Sequence, residues 1–253
     1  MSIKTAILNG VATIEIARPE KKNAITGAMY TQLAEAFVAA TGDDAVRAIL
    51  LTGQPGIFTS GNDIDDFVKR PGNLEEAPSF AFMKALMGCD KPVIAAVTGA
   101  AIGIGTTMLL HCDFVYVSDE ARLAMPFTSL GLVPEFASSV LVPRLMGNAR
   151  AAEKLLLGDP FTGADAVECG LANAVLPASE VVKHARRIAE RFNALPPGAV
   201  RETKKLMRRG QSTALLETIV VEGRLFGERL QSPEAKEAFS AFFEKRKPDF
   251  SRF

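Results

Sequence analysis

Three short apolar runs constrain this chain more than anything else: Ala48-Ile49-Leu50-Leu51, Val93-Ile94-Ala95-Ala96-Val97 and Phe114-Val115-Tyr116-Val117. Each is too short for a helix, and the first is closed by Thr52-Gly53, so all three read as strands. Helical stretches separate them. Over 27–41 Met29, Leu33 and Phe37 recur every four residues, which predicts a helix there. Near the N-terminus Asn9-Gly10 lies between two β-prone runs and predicts a two-residue hairpin. A short extended piece is expected at 121–125, and from residue 134 onward the chain turns strongly helical. Asn148 and Thr162 are plausible helix caps, with Gly170 a plausible stop. Residues 69–79, with Pro71, Gly72 and Pro78, read as a mobile loop. Alternating strands and helices imply an α/β core. The helical tail is then a small lobe or an oligomerisation element.

Charge and cysteine content exclude several function classes. The 253 residues carry 29 basic and 29 acidic side chains, so neither nucleic acid nor an anionic membrane is an expected partner. Cys89, Cys112 and Cys169 are odd in number and far apart, which does not read as a disulfide framework. Only His111 and His184 could join them, so no metal site is expected. The start lacks a signal-peptide apolar stretch, and no run approaches the roughly 18 apolar residues of a membrane helix. Ser251-Arg252-Phe253 is not the usual peroxisomal tripeptide. A soluble, cytoplasmic protein is the expectation.

Generic catalytic signatures fail. No Gly-Lys-Ser/Thr follows Gly99, Gly103 and Gly105, so a P-loop is not present. A dinucleotide fingerprint would need glycine at Met108, and no G-x-S-x-G elbow exists. His111-Cys112-Asp113 invites a cysteine-nucleophile reading, but consecutive residues point in different directions, and a core role fits better. Two glycine turns remain, Phe58-Thr59-Ser60-Gly61-Asn62-Asp63-Ile64 and Gly103-Ile104-Gly105-Thr106-Thr107. Glycine lets backbone approach a ligand closely, and N–H groups at a helix start are free. Two such turns facing each other would form an oxyanion hole.

Taken together these residues resemble the enoyl-CoA hydratase/isomerase (crotonase) superfamily. The resemblance rests on Arg18-Pro19 through Asn23-Ala24, Ser60-Gly61-Asn62-Asp63-Ile64, Lys91-Pro92 through Gly105, Cys112-Asp113, Thr162-Gly163-Ala164-Asp165-Ala166 with Gly170-Leu171, and Phe242 with Glu244-Lys245-Arg246-Lys247. It implies an α/β fold, a crotonase spiral of ββα units over 1–195. A helical C-terminal trimerisation region over 196–253 follows, giving a homotrimer or a dimer of trimers. It further implies an acyl-CoA thioester substrate, with coenzyme A as the substrate's carrier group and no other cofactor. By position, Ser60 and Ile104 would supply the oxyanion N–H donors. Lys22, Ala24 and the turn Ser60, Gly61, Asn62, Asp63 and Ile64 would meet the CoA. Phe242 and Lys245 would reach the CoA of a neighbouring subunit.

Hydratases of this superfamily use two glutamates, and this chain has Thr107 and Phe127 at those positions. Neither can exchange a proton as a carboxylate does. Pro126-Phe127 through Pro134-Glu135 instead resembles the peroxisomal-type Δ3,Δ2-enoyl-CoA isomerase branch, in which a nearby glutamate is the base. Phe136-Ala137 departs from that branch's glycine. The resemblance therefore implies an isomerase of lipid metabolism that moves a 3-enoyl-CoA double bond to C2–C3, with Glu135 as acid–base. By local sequence alone, Glu135 reads more readily as a helix-start carboxylate after Pro134 than as a catalytic group. Asp63 reads as a turn residue, with a second-acid role as the alternative. Competing readings are another enolate reaction (hydration, dienoyl-CoA or ring-derived CoA isomerisation) and a non-catalytic acyl-CoA-binding module.

Overall fold

The computed structural model describes residues 2–67 and 77–253. The chain starts with β1 (Ile3–Leu8) and β2 (Val11–Ile16), antiparallel across the Asn9-Gly10 turn, where φ is +50° and +70°. Both left-handed values are what a tight hairpin between right-twisted strands requires. Next comes α1 (Gly27–Gly42), which starts where the Thr26 side chain accepts the Met29 N–H. Met29, Leu33 and Phe37 lie on its buried face, as their spacing predicts.

Three similar units follow, each placing one strand in each of two sheets. The pairs are β3 (Ala48–Thr52) with β4 (Ile57–Thr59), β5 (Val93–Val97) with β6 (Ala100–Ile102), and β7 (Phe114–Ser118) with β8 (Arg122–Ala124). The helices α2 (Ile64–Phe67), α3 (Pro78–Gly88) and α4 (Ile104–Thr107) come after the second strand of the first two units. Further on lie α5 (Ser138–Met146), α6 (Asn148–Ala152), β9 (Phe161–Thr162), α7 (Gly163–Glu168), β10 (Ala174–Leu176) and α8 (Ala178–Glu190). The first sheet has the order β1-β2-β3-β5-β7-β10 and is parallel from β2 onward. The second has the order β4-β6-β8-β9, with β9 antiparallel.

Why the three apolar runs fail to alternate is now physical. Ile49, Leu51, Val93, Ala95, Val97, Val115 and Val117 face the main core, while Ala48, Leu50, Ile94, Ala96 and Tyr116 face α8 through Val181, Ala185 and Ala189. A sheet covered on both faces needs apolar side chains at every position.

The helices α9 (Pro197–Met207), α10 (Ser212–Leu230) and α11 (Pro233–Phe243) are bound to this core rather than set apart from it. Ile219, Ala235 and Phe239 belong to the same main cluster. Lys204, buried on α9, donates to Asp113 and to the Lys91 carbonyl, both at 2.6 Å, and Arg208 donates to Asp113 at 2.9 Å. A buried cation needs such partners to offset its lost hydration.

Several details differ from the sequence expectation. The helix after residue 134 starts only at Ser138. Asn148 is the first residue of α6 and its side chain caps nothing, whereas Thr162 and Asp165 form a reciprocal cap for α7. The stretch 69–79 lies outside the described residues as far as 76, and Pro78 opens α3. Among the described residues no helix is long and apolar enough to cross a membrane, and no three His, Cys, Asp or Glu side chains gather as metal ligands would.

The corner between β5 and β6 is the tightest in the spiral. Gly99 has φ +70°, and a Cβ there would lie 1.8 Å from the Gly56 carbonyl oxygen. Gly56 has φ +79° but faces open space. Gly56→Ala should therefore cost about 1 kcal/mol, the left-handed penalty alone. Gly99→Ala should cost at least about 3 kcal/mol, because overpacking adds to it. Urea unfolding compares the two, and equal losses would mean that the corner has room to yield.

Candidate active site

The two glycine turns meet. A Cβ on Gly61 (φ +91°) would lie 2.8 Å from the Ile102 carbonyl oxygen, and one on Gly105 would lie 2.6 Å from a Thr59 methyl carbon. Gly61 is thus required by the backbone at Ile102, and Gly105 by the packed Thr59 side chain. On the second turn the Gly103 N–H is paired with Ala124, and the Thr106 and Thr107 N–H groups with Gly103. The Ile104 N–H has no hydrogen-bond partner among the described residues.

On the first turn the Ser60 N–H, expected as an oxyanion donor, donates to the Lys22 carbonyl at 3.1 Å. The Gly61 N–H goes to the Thr59 hydroxyl and the Asp63 N–H to the Ile25 carbonyl. Asn62 is different. Its parallel bridge to Ile25 uses the Gly61 carbonyl and the Asp63 N–H, which turns the Asn62 N–H away, without a partner among the described residues. The N–H groups of Ile64 and Gly105, like those of Asn62 and Ile104, have no hydrogen-bond partner among the described residues.

The Arg18–Ala24 segment holds this turn in place. Arg18 donates to Asp63 at 2.6 Å and to the Ala24 carbonyl at 2.9 Å. Buried Asn23 bonds the Arg18 N–H and the carbonyls of Ile57 and Phe58. Asp63 is therefore a structural turn residue, which also accepts the Asp66 N–H. The Tyr30 hydroxyl donates to the Asn62 side chain at 2.6 Å, drawing that side chain into the protein. Lys22 is exposed and Ala24 half-buried.

A cavity of about 80 Å³ opens against these turns. Ser60, Gly61, Asn62, Ile64 and Ile104 line one side; Phe127, Leu130, Leu132, Phe226 and Phe239 line the other. Phe226 and Phe239 come from α10 and α11, so the helical region closes its own chain's cavity. Sequence reasoning missed both, since nothing local marks them. Phe242, one turn beyond Phe239, is 56% exposed, and neither it nor Lys245 lines the cavity.

Glu135 lies beside the fully buried Thr107, which donates its hydroxyl to Glu135 Oε1. Since Ile104 and Thr107 share α4, the carboxylate sits one helical turn from a free N–H donor. The other oxygen, Oε2, has no hydrogen-bond partner among the described residues. Burial pushes the carboxyl up to about 8; the Thr107 hydrogen bond opposes this and the Glu222 charge adds to it. The residue precedes a turn rather than opening a helix. Phe136 and Ala137 both have positive φ, +59° and +58°, a strained pair for residues with side chains. His111 Nε2 donates to the Phe136 carbonyl at 2.8 Å while the two rings stack 3.8 Å apart. Ser138 donates twice to the Glu135 carbonyl, and Glu222 accepts the Ala137 and Ser139 N–H groups.

Burial also shifts two neighbouring titratable groups away from neutral pH. Burial holds His111 down to about 4, so its ring is neutral at pH 7. Burial, reinforced by Asp113, pushes the Cys112 thiol up to about 12, which removes the cysteine-nucleophile reading.

Because the folded-state value for Glu135 is above the ordinary 4.5, the native protein holds a proton that the unfolded chain releases. Its stabilising contribution is complete below about pH 4.5 and is lost as pH rises through about 8. Glu135→Gln, neutral at all pH, should gain thermal stability over the wild type across that window and not below it. Parallel Tm–pH curves would contradict the burial of this carboxylate.

A sequence model described as enoyl-CoA hydratase/isomerase matches residues 6–252. Enoyl-CoA delta isomerase 2 of Rattus norvegicus is 36% identical over 94% of this chain, which spans 62% of that protein's length. A protein named "Probable enoyl-CoA hydratase" in Bacillus subtilis (strain 168) is 31% identical over 98% of both chains. The structure of Pseudomonas aeruginosa OdaA superposes with a TM-score of 0.93 at 51% identity, covering 95% of this chain and 98% of that one. Spiral, paired turns and sequence agree: the chain belongs to the enoyl-CoA hydratase/isomerase (crotonase) family.

Proposed function

We propose that the protein is a Δ3,Δ2-enoyl-CoA isomerase, converting 3-enoyl-CoA to trans-2-enoyl-CoA. One observation carries the reading: Glu135 is a buried carboxylate with one oxygen left unpaired among the described residues, whereas both oxygens of Asp63 and Glu222 are engaged, and Thr107 and Phe127 stand where a two-carboxylate hydratase would need acids. Glu135 takes a proton from C2, and the electron pair moves through C2 and C1 onto the thioester oxygen. The N–H groups of Asn62 and Ile104 stabilise that charge, which is larger in the transition state than in the substrate. As the dienolate collapses, the double bond settles at C2–C3 and protonated Glu135 returns its proton at C4. Apolar walls from Phe127, Leu132 and Phe226 keep water from the intermediate.

The CoA carrier would lie along Lys22, Ala24 and the 60–64 turn, with Phe242 and Lys245 serving a neighbouring subunit. Exposed Leu206, Met207, Val220 and Val221 on α9 and α10 support self-association through the helical region. Sedimentation should give three or six chains of 27.1 kDa; a monomer would remove that part of the reading.

Absorbance of the conjugated thioester follows turnover of a 3-enoyl-CoA. Glu135→Gln should lower the rate at least about a thousandfold. Wild-type activity should rise with pH toward about 8 as Glu135 loses its proton. Hydration of a 2-enoyl-CoA should be at least about a hundredfold slower than isomerisation. Faster hydration would favour the activity named for the Bacillus relative, and equal rates for wild type and Glu135→Gln would remove Glu135 from the mechanism.

A further inference from the structure

Glu222 sits on α10, only 6% exposed, and reaches the strained turn from behind the cavity. Oε2 accepts the Ala137 N–H at 2.6 Å and Oε1 accepts the Ser139 N–H at 2.9 Å. These N–H groups lie two and four residues after Glu135. Two successive left-handed residues cost roughly 1–2 kcal/mol each and persist only where their surroundings over-determine them. Three contacts hold this turn: His111 on Phe136, Ser138 on Glu135, and Glu222 on Ala137.

Only the last carries a charge. The groups facing Glu135 are Thr107 from α4, the neutral His111 from the turn after it, and Glu222 from α10. Arg208, just after α9, points at the His111 carbonyl and Asp113 instead. For stability alone a Ser, Thr or Asn at the helix start would satisfy the same N–H groups. A second buried carboxylate beside the first is a costly alternative, since both are desolvated and like-charged.

We propose that Glu222 is a positioning residue of the reaction: it pins the Phe136–Ala137 backbone and, through its own charge, sets the proton affinity of Glu135. In its catalytic part the inference rests on the reading of Glu135 as the base. The carboxyl groups are conjugated to nothing, so their infrared C=O band reports protonation without substrate.

The experiment uses the full chain. The band that is present in the wild type and absent in Glu135→Gln is titrated in Glu222→Gln, alongside kcat and KM. The expected result is a titration midpoint at least about 0.5 pH unit lower, because a like charge has been removed. In addition kcat should fall about tenfold in Glu222→Gln, which keeps one acceptor, and about a hundredfold in Glu222→Ala, with KM within about twofold. If Glu222→Gln does not fold, adding Ala137→Gly relieves the left-handed strain, and the band is read in that double variant. An unmoved band, or an unchanged kcat in folded Glu222→Gln, would overturn the inference. A shifted band in a protein that turns over no 3-enoyl-CoA would sink the isomerase reading and leave Glu222 as the group that sets Glu135.

Discussion

The hydrogen bond from Thr107 to Glu135 joins two parts of the molecule that must agree in position for the site to exist. Thr107 ends α4, whose first residue, Ile104, lines the cavity and has no partner for its N–H among the described residues. That helix starts where it does because the Gly61 and Gly105 turns pack against each other with no room for side-chain atoms. Glu135 belongs to the other part, a turn fixed by His111, Ser138 and Glu222. The bond thus sets the separation between a proton acceptor and the place where negative charge would develop. Its environment sets the chemistry, because burial that raises the carboxyl to about 8 also excludes water.

Thr107 also shows how one substitution can redirect a shared fold. A glutamate there would be a second buried acid beside Glu135, and two such groups resist ionising together. Threonine supplies Glu135 with a hydrogen-bond donor instead. Phe127, edge-on to Phe226 at 6.4 Å between centroids, adds apolar wall where an acid could stand. The departure at Phe136-Ala137 fits the same logic: the Phe136 ring stacks on His111, and the strain of its left-handed backbone is offset by hydrogen bonds from three elements.

Much of the core was legible in the sequence because its signals are local. Asn9-Gly10 marks a hairpin by its own dihedral preferences, and the three apolar runs mark strands covered on both faces. Of the second sheet β8 was legible, as the extended piece expected at 121–125, but its neighbours were not. β6 and β9 are three and two residues long, too short for any period to show. Which N–H groups of the first turn stay free was not legible either, because that depends on pairing with Lys22 and Ile25 from an earlier segment. Glu222 and the two cavity phenylalanines were invisible for the same reason: their partners lie 83 and 85 residues away for Glu222 and on a different element for each ring.

Whether one shielded carboxylate carries the proton between the two carbons can be read from the product. Wild-type protein is given a 3-enoyl-CoA deuterated at C2, in light water, and deuterium at C4 of the 2-enoyl product is measured by NMR at early turnover. Transfer by Glu135 in a dry cavity predicts that a substantial share of the C4 positions carry deuterium from C2. Product with only protium at C4 would mean that water or a separate group delivers the second proton, contradicting the one-carboxylate account.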